Sequence, residues 1–282
     1  MIGKPLVGVA LAPLFALSLS SAALAQSVAA QSPGGSTCAS TVQAMLAQEA
    51  KDRTLLMPIV EEARVRGAPA INAHLDELVE IVDRTPATEV PACDGQRYVR
   101  GVGGAGVAGV LVALAAGASV AKASGSTDKV VALGPSPYAT AALYAGSAYV
   151  GRGAWDKANR VMARALALDP ANALLAGEDS LALSHLGRNE EALALCDRVL
   201  ARVDPLSVQD HARLLRSRGY ALGELGRFDD AIAAYQQSLV LMPGNGLALN
   251  EIAYLTKRKA GAGKIDPATI LSKDSQAVKP PQ

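Results

Sequence analysis

One string in this chain has the residue types and spacing of a cofactor-binding motif. Gly101-Val102-Gly103-Gly104-Ala105-Gly106 matches the pattern G-x-G-x-x-G. Its glycines let a backbone approach a pyrophosphate group at the start of a helix. The motif works only between alternating strands, which we do not predict here, and the nearest acidic residue downstream is Asp128. We therefore predict no nucleotide cofactor.

Two other strings have the spacing of a serine nucleophile with a lysine base. Ser119-Val120-Ala121-Lys122 and Ser126-Thr127-Asp128-Lys129 both match S-x-x-K, in which lysine can help to deprotonate serine. The accompanying K-T-G element and a convincing S-D-N element are missing from the sequence. The histidines at 74, 185 and 211 are too isolated for acid-base or metal pairs. The sequence therefore predicts no catalytic residues and no metal site.

Composition favours helices over sheets. Half of the 282 residues are hydrophobic, but only 4% are aromatic. The surplus is mostly alanine, which suits closely packed helices. The formal net charge of +1 argues against a general nucleic-acid surface. We predict an all-α fold.

The first segment, residues 1–25, has the pattern of a secretory signal peptide. Lys4 precedes an apolar run from Leu6 to Leu19, and Ala23-Leu24-Ala25 provides small residues for a peptidase. We expect cleavage after Ala25 and export to a bacterial periplasm. The alternative is an uncleaved membrane anchor, for which the apolar core is short.

Export changes the interpretation of the cysteines, because thiols tend to pair in an oxidising compartment. Cys38 and Cys93 bracket two helical patterns, at Thr41–Val65 and Pro69–Arg84. We predict a helical hairpin within residues 26–100, closed by a disulfide that contributes about 4 kcal/mol in the chain-entropy model. Cys196 lies among apolar positions and is predicted to be a buried thiol.

The stretch 101–124 has a glycine-zipper pattern. Small residues recur at every fourth position from Gly101 to Ala121, and residues 101–121 carry no charge. On a helix this spacing forms a ridge along which another helix can approach closely. We favour a buried or partner-packing helix. The alternative is a membrane segment, since the stretch is long enough to span a bilayer.

A six-residue phrase occurs three times in the second half of the chain. It runs Gly153-Ala154-Trp155-Asp156-Lys157-Ala158, then Gly187-Arg188-Asn189-Glu190-Glu191-Ala192, then Gly226-Arg227-Phe228-Asp229-Asp230-Ala231. A turn glycine, an acidic helix start and an alanine at a helix crossing are typical of a helix-turn-helix unit. The first two glycines are 34 residues apart. The longer second interval is absorbed by a predicted loop at 203–207.

These repeats resemble the tetratricopeptide repeat family over residues 137–258. The third repeat matches best, through Gly219, Leu222, Leu225, Tyr235 and Pro243. The second departs from the family pattern at Asp179-Ser180, where a large apolar residue and a glycine are favoured. The resemblance implies a superhelix of three repeats, and Gly246 to Arg258 is predicted to cap it with Leu249, Ile252 and Ala253 inward. Residues 259–282 have the composition of a flexible tail.

The resemblance also implies a concave groove lined by the first helix of each repeat, in which the family usually holds a peptide. The matching positions are Tyr144, Ser147, His185, Arg213, Arg216, Tyr220, Asn250 and Tyr254. Arg213, Arg216 and Tyr220 suit an acidic or carboxylate-ended partner. The clamp with which some family members grip chaperone tails is not matched, because Leu143 and Ser147 stand at its first-repeat positions.

We therefore expect a non-enzymatic scaffold of the bacterial cell envelope that binds a partner protein or peptide without a cofactor. The alternative is a membrane-tethered assembly or secretion accessory protein, anchored through residues 101–121.

Overall fold

Helix follows helix along most of the chain in the computed structural model, which describes residues 37–100, 114–115, 117–120, 122–201, 207–261 and 263. The N-terminal region contains α1 (Thr37–Arg66), α2 (Ala68–Ala73), α3 (Leu75–Asp83), β1 (Gln96–Arg100) and β2 (Lys129–Leu133). The repeat array contains α4 (Pro137–Gly151), α5 (Trp155–Leu168), α6 (Ala173–His185), α7 (Asn189–Leu200), α8 (Val208–Glu224), α9 (Phe228–Leu241) and α10 (Gly246–Lys259). The predicted signal peptide and most of the predicted tail lie outside the described residues.

The first helix of each unit in the array begins at a polar cap. Ser136, Asn172, Ser207 and Asn245 each accept a hydrogen bond from the backbone N–H three residues later. Each bond satisfies a donor that the first turn leaves unpaired. The second helices lack such side-chain caps and begin after left-handed glycines, with φ of 68° at Gly153 and 75° at Gly187 and Gly226. The repeated glycine therefore has the predicted turn role.

The N-terminal helices cover the open face of the first repeat. Leu56, Leu78 and Ile81 belong to the same buried cluster as Ala141 and Met162 of the array. A repeat leaves apolar surface exposed on each side, so the first one needs a cover. α1 and α3 provide it, and the predicted hairpin is thus packed onto the repeats.

Arg164 is one of the residues that bond this cover to the array. Arg164 of α5 donates from Nε to the Val82 carbonyl at 3.0 Å and from Nη2 to the Asp83 carbonyl at 2.6 Å. These carbonyls lie at the C-terminal end of α3, where backbone acceptors have no partner within the helix. The guanidinium therefore caps α3 from a neighbouring helix.

The predicted Cys38–Cys93 disulfide is present, with the two Cα atoms 6.1 Å apart. Cys196 is free and buried, and burial raises the pKa of its thiol to about 11. The second predicted helix, Pro69–Arg84, is divided at His74 into α2 and α3. His74 contacts Glu62 of α1 and Glu77 of α3 at 3.0 and 3.1 Å.

Two short strands were not predicted from the sequence. β1 and β2 pair in parallel, in register from Gln96 opposite Lys129 to Arg100 opposite Leu133. Residues 114–115, 117–120 and 122–123 between them are helical. A side chain at Gly117 would meet Val99 and Val130 within 3.0 Å, so this helix packs closely on the strand pair. The expectation that no strands flank the glycine string at 101–106 was therefore wrong, although the string itself lies outside the described residues.

Within the described part of the chain, which omits 101–113, no helix has the length and apolar character needed to cross a membrane. Most of the predicted glycine-zipper stretch lies outside that part.

Candidate partner-binding groove

The predicted groove residues all lie on α4, α6, α8 and α10, the first helices of the successive units. Their surroundings differ. Tyr144 is buried, with its pKa raised by burial, and Ser147 is half-buried. His185 and Asn250 are exposed, whereas Arg213, Arg216, Tyr220 and Tyr254 are half-buried. The half-buried residues of α8 and α10 have surface available to a partner.

Arg213 is engaged within the array. Its Nη1 donates to Glu178 Oε1 of α6 at 2.7 Å. Beside this pair, Ser217 donates to the Gly177 carbonyl at 3.2 Å. α6 and α8 are therefore held together at this point by polar contacts, and the Arg213 charge is balanced internally.

Arg216 lies one turn further along α8 and has no carboxylate partner among the described residues. Its one hydrogen bond there is a long one, from Nη1 to Ser238 Oγ at 3.4 Å. Burial, and secondly the charge of Arg213, lower the pKa of Arg216. A half-buried guanidinium with unused donors is suited to a carboxylate from outside.

Aromatic rings continue the groove towards the C-terminal ends of α6 and α8. Trp155 stacks on His185 with ring centroids 3.8 Å apart and planes 4° apart. The Tyr220 ring lies 6.1 Å from His185. His185 is exposed as a residue, but partial burial of its ring lowers its pKa despite the opposing effect of Glu224. We did not predict Trp155 as a groove residue because it belongs to the turn phrase of the first repeat.

A cavity of about 130 Å³ opens between α8 and α10, with α9 beneath it. Its lining consists of Gly219, Tyr220, Gly223, Glu224, Tyr235, Glu251, Tyr254 and Leu255. Only Tyr220 and Tyr254 of this set were predicted. Helical spacing could have suggested two more, since Glu224 follows Tyr220 by four residues and Glu251 precedes Tyr254 by three.

Two glycines and one tyrosine create this cavity. Gly219 and Gly223 leave a strip of α8 without side chains. A Cβ at Gly219 would lie 2.8 Å from Cε2 of Tyr235. The Tyr235 ring therefore lies directly against the α8 backbone and forms the floor, with its residue only 1% exposed.

The cavity is acidic as well as aromatic. Glu224 and Glu251 both line it, and burial together with the charge of Glu224 raises the pKa of Glu251. Burial, and then these two carboxylates, raise the pKa of Tyr220 to about 12. Among the described residues, Glu251 has neither a hydrogen bond nor an ion pair that would balance its charge.

Asp179 and Ser180 stand where a large apolar residue and a glycine were expected in the second repeat. Both make hydrogen bonds in the interior. Asp179 is 3% exposed and accepts a hydrogen bond from Asn159 Nδ2 at 2.8 Å. Burial raises its pKa to about 6. Ser180 accepts from the Cys196 thiol at 3.2 Å. In the part of the chain that the structure describes, histidine, cysteine and acidic residues form no cluster of three suited to a metal ion.

Comparisons with solved structures give several helical-repeat domains. The first such domain of human RPAP3 is 23% identical and covers 44% of this chain and 94% of its own, with a TM-score of 0.40. The corresponding domain of Sgt2 from Aspergillus fumigatus is 19% identical, covering 47% and 91%, at a TM-score of 0.40. MamA from Desulfovibrio magneticus RS-1 is 19% identical, covering 49% and 72%, at a TM-score of 0.37.

Family models give the assignment. No curated protein matches the chain. One model described as tetratricopeptide repeat matches residues 143–207 and a second matches residues 180–242. These matches contain all three turn glycines and the helix pairs around them, as the sequence predicted. Residues 143–242 of this chain therefore consist of tetratricopeptide repeats.

Proposed function

We propose that this protein is a scaffold that holds a segment of a partner protein against α6, α8 and α10. Repeat arrays of this kind bind partners through extended concave surfaces. The observation that carries the proposal is Arg216, a half-buried cation that the fold leaves without a carboxylate. We assign no catalytic activity to the protein.

The partner segment carries an acidic group that reaches Arg216. A carboxylate there would receive charge-assisted hydrogen bonds, which are about twice as strong as neutral ones. Arg213 already has Glu178 as its counter-ion, so we assign it a supporting role. We therefore assign the main contact with an acidic partner, which the sequence suggested for Arg213 and Arg216 together, to Arg216.

We also propose that the protein acts in a bacterial periplasm. Support comes from the signal-peptide pattern of residues 1–25 and from the Cys38–Cys93 disulfide, which suits an oxidising compartment. Detection of the mature protein in a spheroplast supernatant, with an N-terminus at Gln26, tests this. Retention in the cytosolic fraction with Met1 intact contradicts it.

The second candidate function is a membrane-tethered accessory role. The observation that favours it is the uncharged stretch at 101–121. Alkaline carbonate extraction separates the two proposals, because a tethered protein stays in the membrane pellet and a scaffold without an anchor is released.

In-cell photocrosslinking tests the groove. A photoreactive residue at Tyr220 should capture a partner, whereas the same residue at Val240 of α9 is the matched control, since Val240 is 81% exposed and lies on a second helix. The Arg216→Gln substitution should abolish capture from Tyr220. Equal capture of the same protein from Val240, or capture unaffected by Arg216→Gln, contradicts the proposal.

A further inference from the structure

The cavity between α8 and α10 has a chemistry opposite to that of Arg216. Its walls present the carboxylates of Glu224 and Glu251 together with the tyrosines at 220, 235 and 254. Burial, and secondly the charge of Glu224, raise the pKa of Glu251, because both effects disfavour the ionised carboxylate. A cation entering the cavity would relieve this repulsion.

Neighbouring arginines do not fill this role. Arg258 contacts one residue of the lining, since its Nη1 donates to the Tyr254 hydroxyl at 2.9 Å, and its guanidinium lies 5.4 Å from the Phe228 ring. It is not part of the cavity lining. Arg216 lowers the pKa of Tyr235 at the floor, but among the described residues it forms no ion pair with a carboxylate, and its hydrogen bond goes to Ser238. Glu251 thus forms no ion pair with either arginine, and its carboxylate is open to a cation that enters the cavity.

The floor of the cavity offers a second, independent observation. Tyr235 is 1% exposed and lines the cavity, yet its hydroxyl has no hydrogen-bond partner among the described residues. The hydroxyl is therefore available to a group that enters the cavity. The hydroxyl can accept a hydrogen bond from an ammonium or guanidinium group, while tyrosine faces attract cations through their ring quadrupole.

The size of the cavity limits what can enter. A volume of about 130 Å³ corresponds to roughly four water molecules at the density of the liquid. This space accommodates the end of one long side chain and excludes a folded domain or a helix.

We propose that this cavity receives a lysine or arginine side chain of the partner segment. The proposal rests on the proposed function and adds the chemistry of a second contact. Arg216 and Tyr220 are four residues apart on α8, which corresponds to about 6 Å along the helix axis. The bound segment therefore carries an acidic and a basic side chain at neighbouring positions.

Small probes test the cavity without any knowledge of the partner. Tetramethylammonium ion and tert-butanol have similar shapes, but only the first is charged. Titrating each into the full mature chain, while following the ring resonances of Tyr220 and Tyr254 by NMR, should give saturable shifts with tetramethylammonium alone. Equal shifts with both probes, or none with either, overturn the cation assignment.

Charge variants make the test specific. Glu224→Gln/Glu251→Gln should weaken tetramethylammonium binding at least about tenfold while the circular dichroism spectrum is unchanged. Glu190→Gln, on an exposed position of α7, is the matched control and should have no effect. Unchanged binding in the double variant contradicts the proposal.

The captured partner then separates this inference from the proposed function. For a peptide of the crosslinked segment, Glu224→Gln/Glu251→Gln and replacement of its basic residue by glutamine should each weaken binding about tenfold, and their combination should add little more. If Arg216→Gln weakens binding of the segment but Glu224→Gln/Glu251→Gln leaves its affinity unchanged, the groove proposal is supported and the inference of a cation in the cavity is wrong. Failure of any segment to bind contradicts the groove itself.

The NMR test has one more outcome, in which a lysine of the protein's own C-terminal segment occupies the cavity. Residues 264–282 contain Lys264, Lys273 and Lys279. If replacing these three by glutamine shifts the Tyr220 and Tyr254 resonances in the absence of a partner, the cavity is occupied by the protein's own tail and the inference of a partner side chain is overturned.

Discussion

Arg213 of α8 donates to Glu178 of α6 at 2.7 Å, while Arg216, one turn away, has no carboxylate partner in the described structure. Two arginines that look equivalent in sequence therefore differ in their contacts, and we expect them to differ in partner binding. Arg213→Gln should lower stability by less than about 1 kcal/mol, because the ion pair is partly exposed, and should change partner affinity little. Arg216→Gln should weaken binding of the partner segment about tenfold. Isothermal titration with the crosslinked segment measures both, and a larger loss for Arg213→Gln would reverse the assignment.

Asp179 should make stability depend on pH. Burial raises its pKa from 3.8 to about 6, so the folded state binds more protons than the unfolded state between those values. The stability that protonated Asp179 contributes is fully present below about pH 4 and is lost as the pH rises through 6. Asp179→Asn can still accept from Asn159, should raise the unfolding free energy at pH 7 by about 1 to 3 kcal/mol, and should flatten this part of the pH profile.

Urea unfolding at several pH values measures the effect. The control is Asp156→Asn, at an exposed position of α5, which should leave the profile unchanged. A variant at Asp179 that is less stable than the parent at pH 7 would show that the carboxylate is compensated in the interior.

Removing the Cys38–Cys93 disulfide should destabilise the N-terminal cover. Cys38→Ala/Cys93→Ala is expected to cost about 2 to 4 kcal/mol, since the bridge closes a sequence separation of 55 residues. Thermal unfolding with and without a reducing agent measures this, and the reducing agent should have no effect on the double variant. Thiol titration should detect one group, Cys196, and only after denaturation; three reactive thiols in the parent chain would rule out the bridge.

Gly219→Ala should close the cavity from its α8 side. The added methyl group would lie 2.8 Å from the buried Tyr235 ring, and overpacking of this kind typically costs about 1 to 3 kcal/mol. Gly151→Ala is the matched control, because its methyl group meets nothing within 4 Å and alanine favours the helix by up to about 1 kcal/mol. Chemical unfolding compares the two, and equal stability gains would show that Tyr235 can move away from α8.

The array was predictable because its signals are local. Capping residues such as Ser136 and Asn245, and the left-handed glycines at 153, 187 and 226, specify helix ends within a few residues of themselves. The two strands were missed because each has five residues and their pairing joins positions 33 residues apart, which no short-range pattern reveals.

Burial at the ends of the array was also harder to predict. Leu249 was expected to face inward, but it is 51% exposed, whereas Ala248 and Leu255 of α10 are buried. Which face of a capping helix is covered depends on how the helix rotates on α9, and its own apolar pattern does not fix that angle. Similarly, the acidic cavity requires residues of α8, α9 and α10 to meet, so the tyrosine on α9 could not be assigned to it from spacing alone.

The bonds from Arg164 to the end of α3 also bear on the order in which the chain acquires structure. The N-terminal end is the first to leave the ribosome or an export channel, so α1 to α3 are available before α4 and α5 emerge. Each later helix pair can then pack against helices that are already present on its N-terminal side, and Arg164 bonds the first such pair to α3. Assembly can thus proceed in the direction of synthesis, with α10 closing the growing end last.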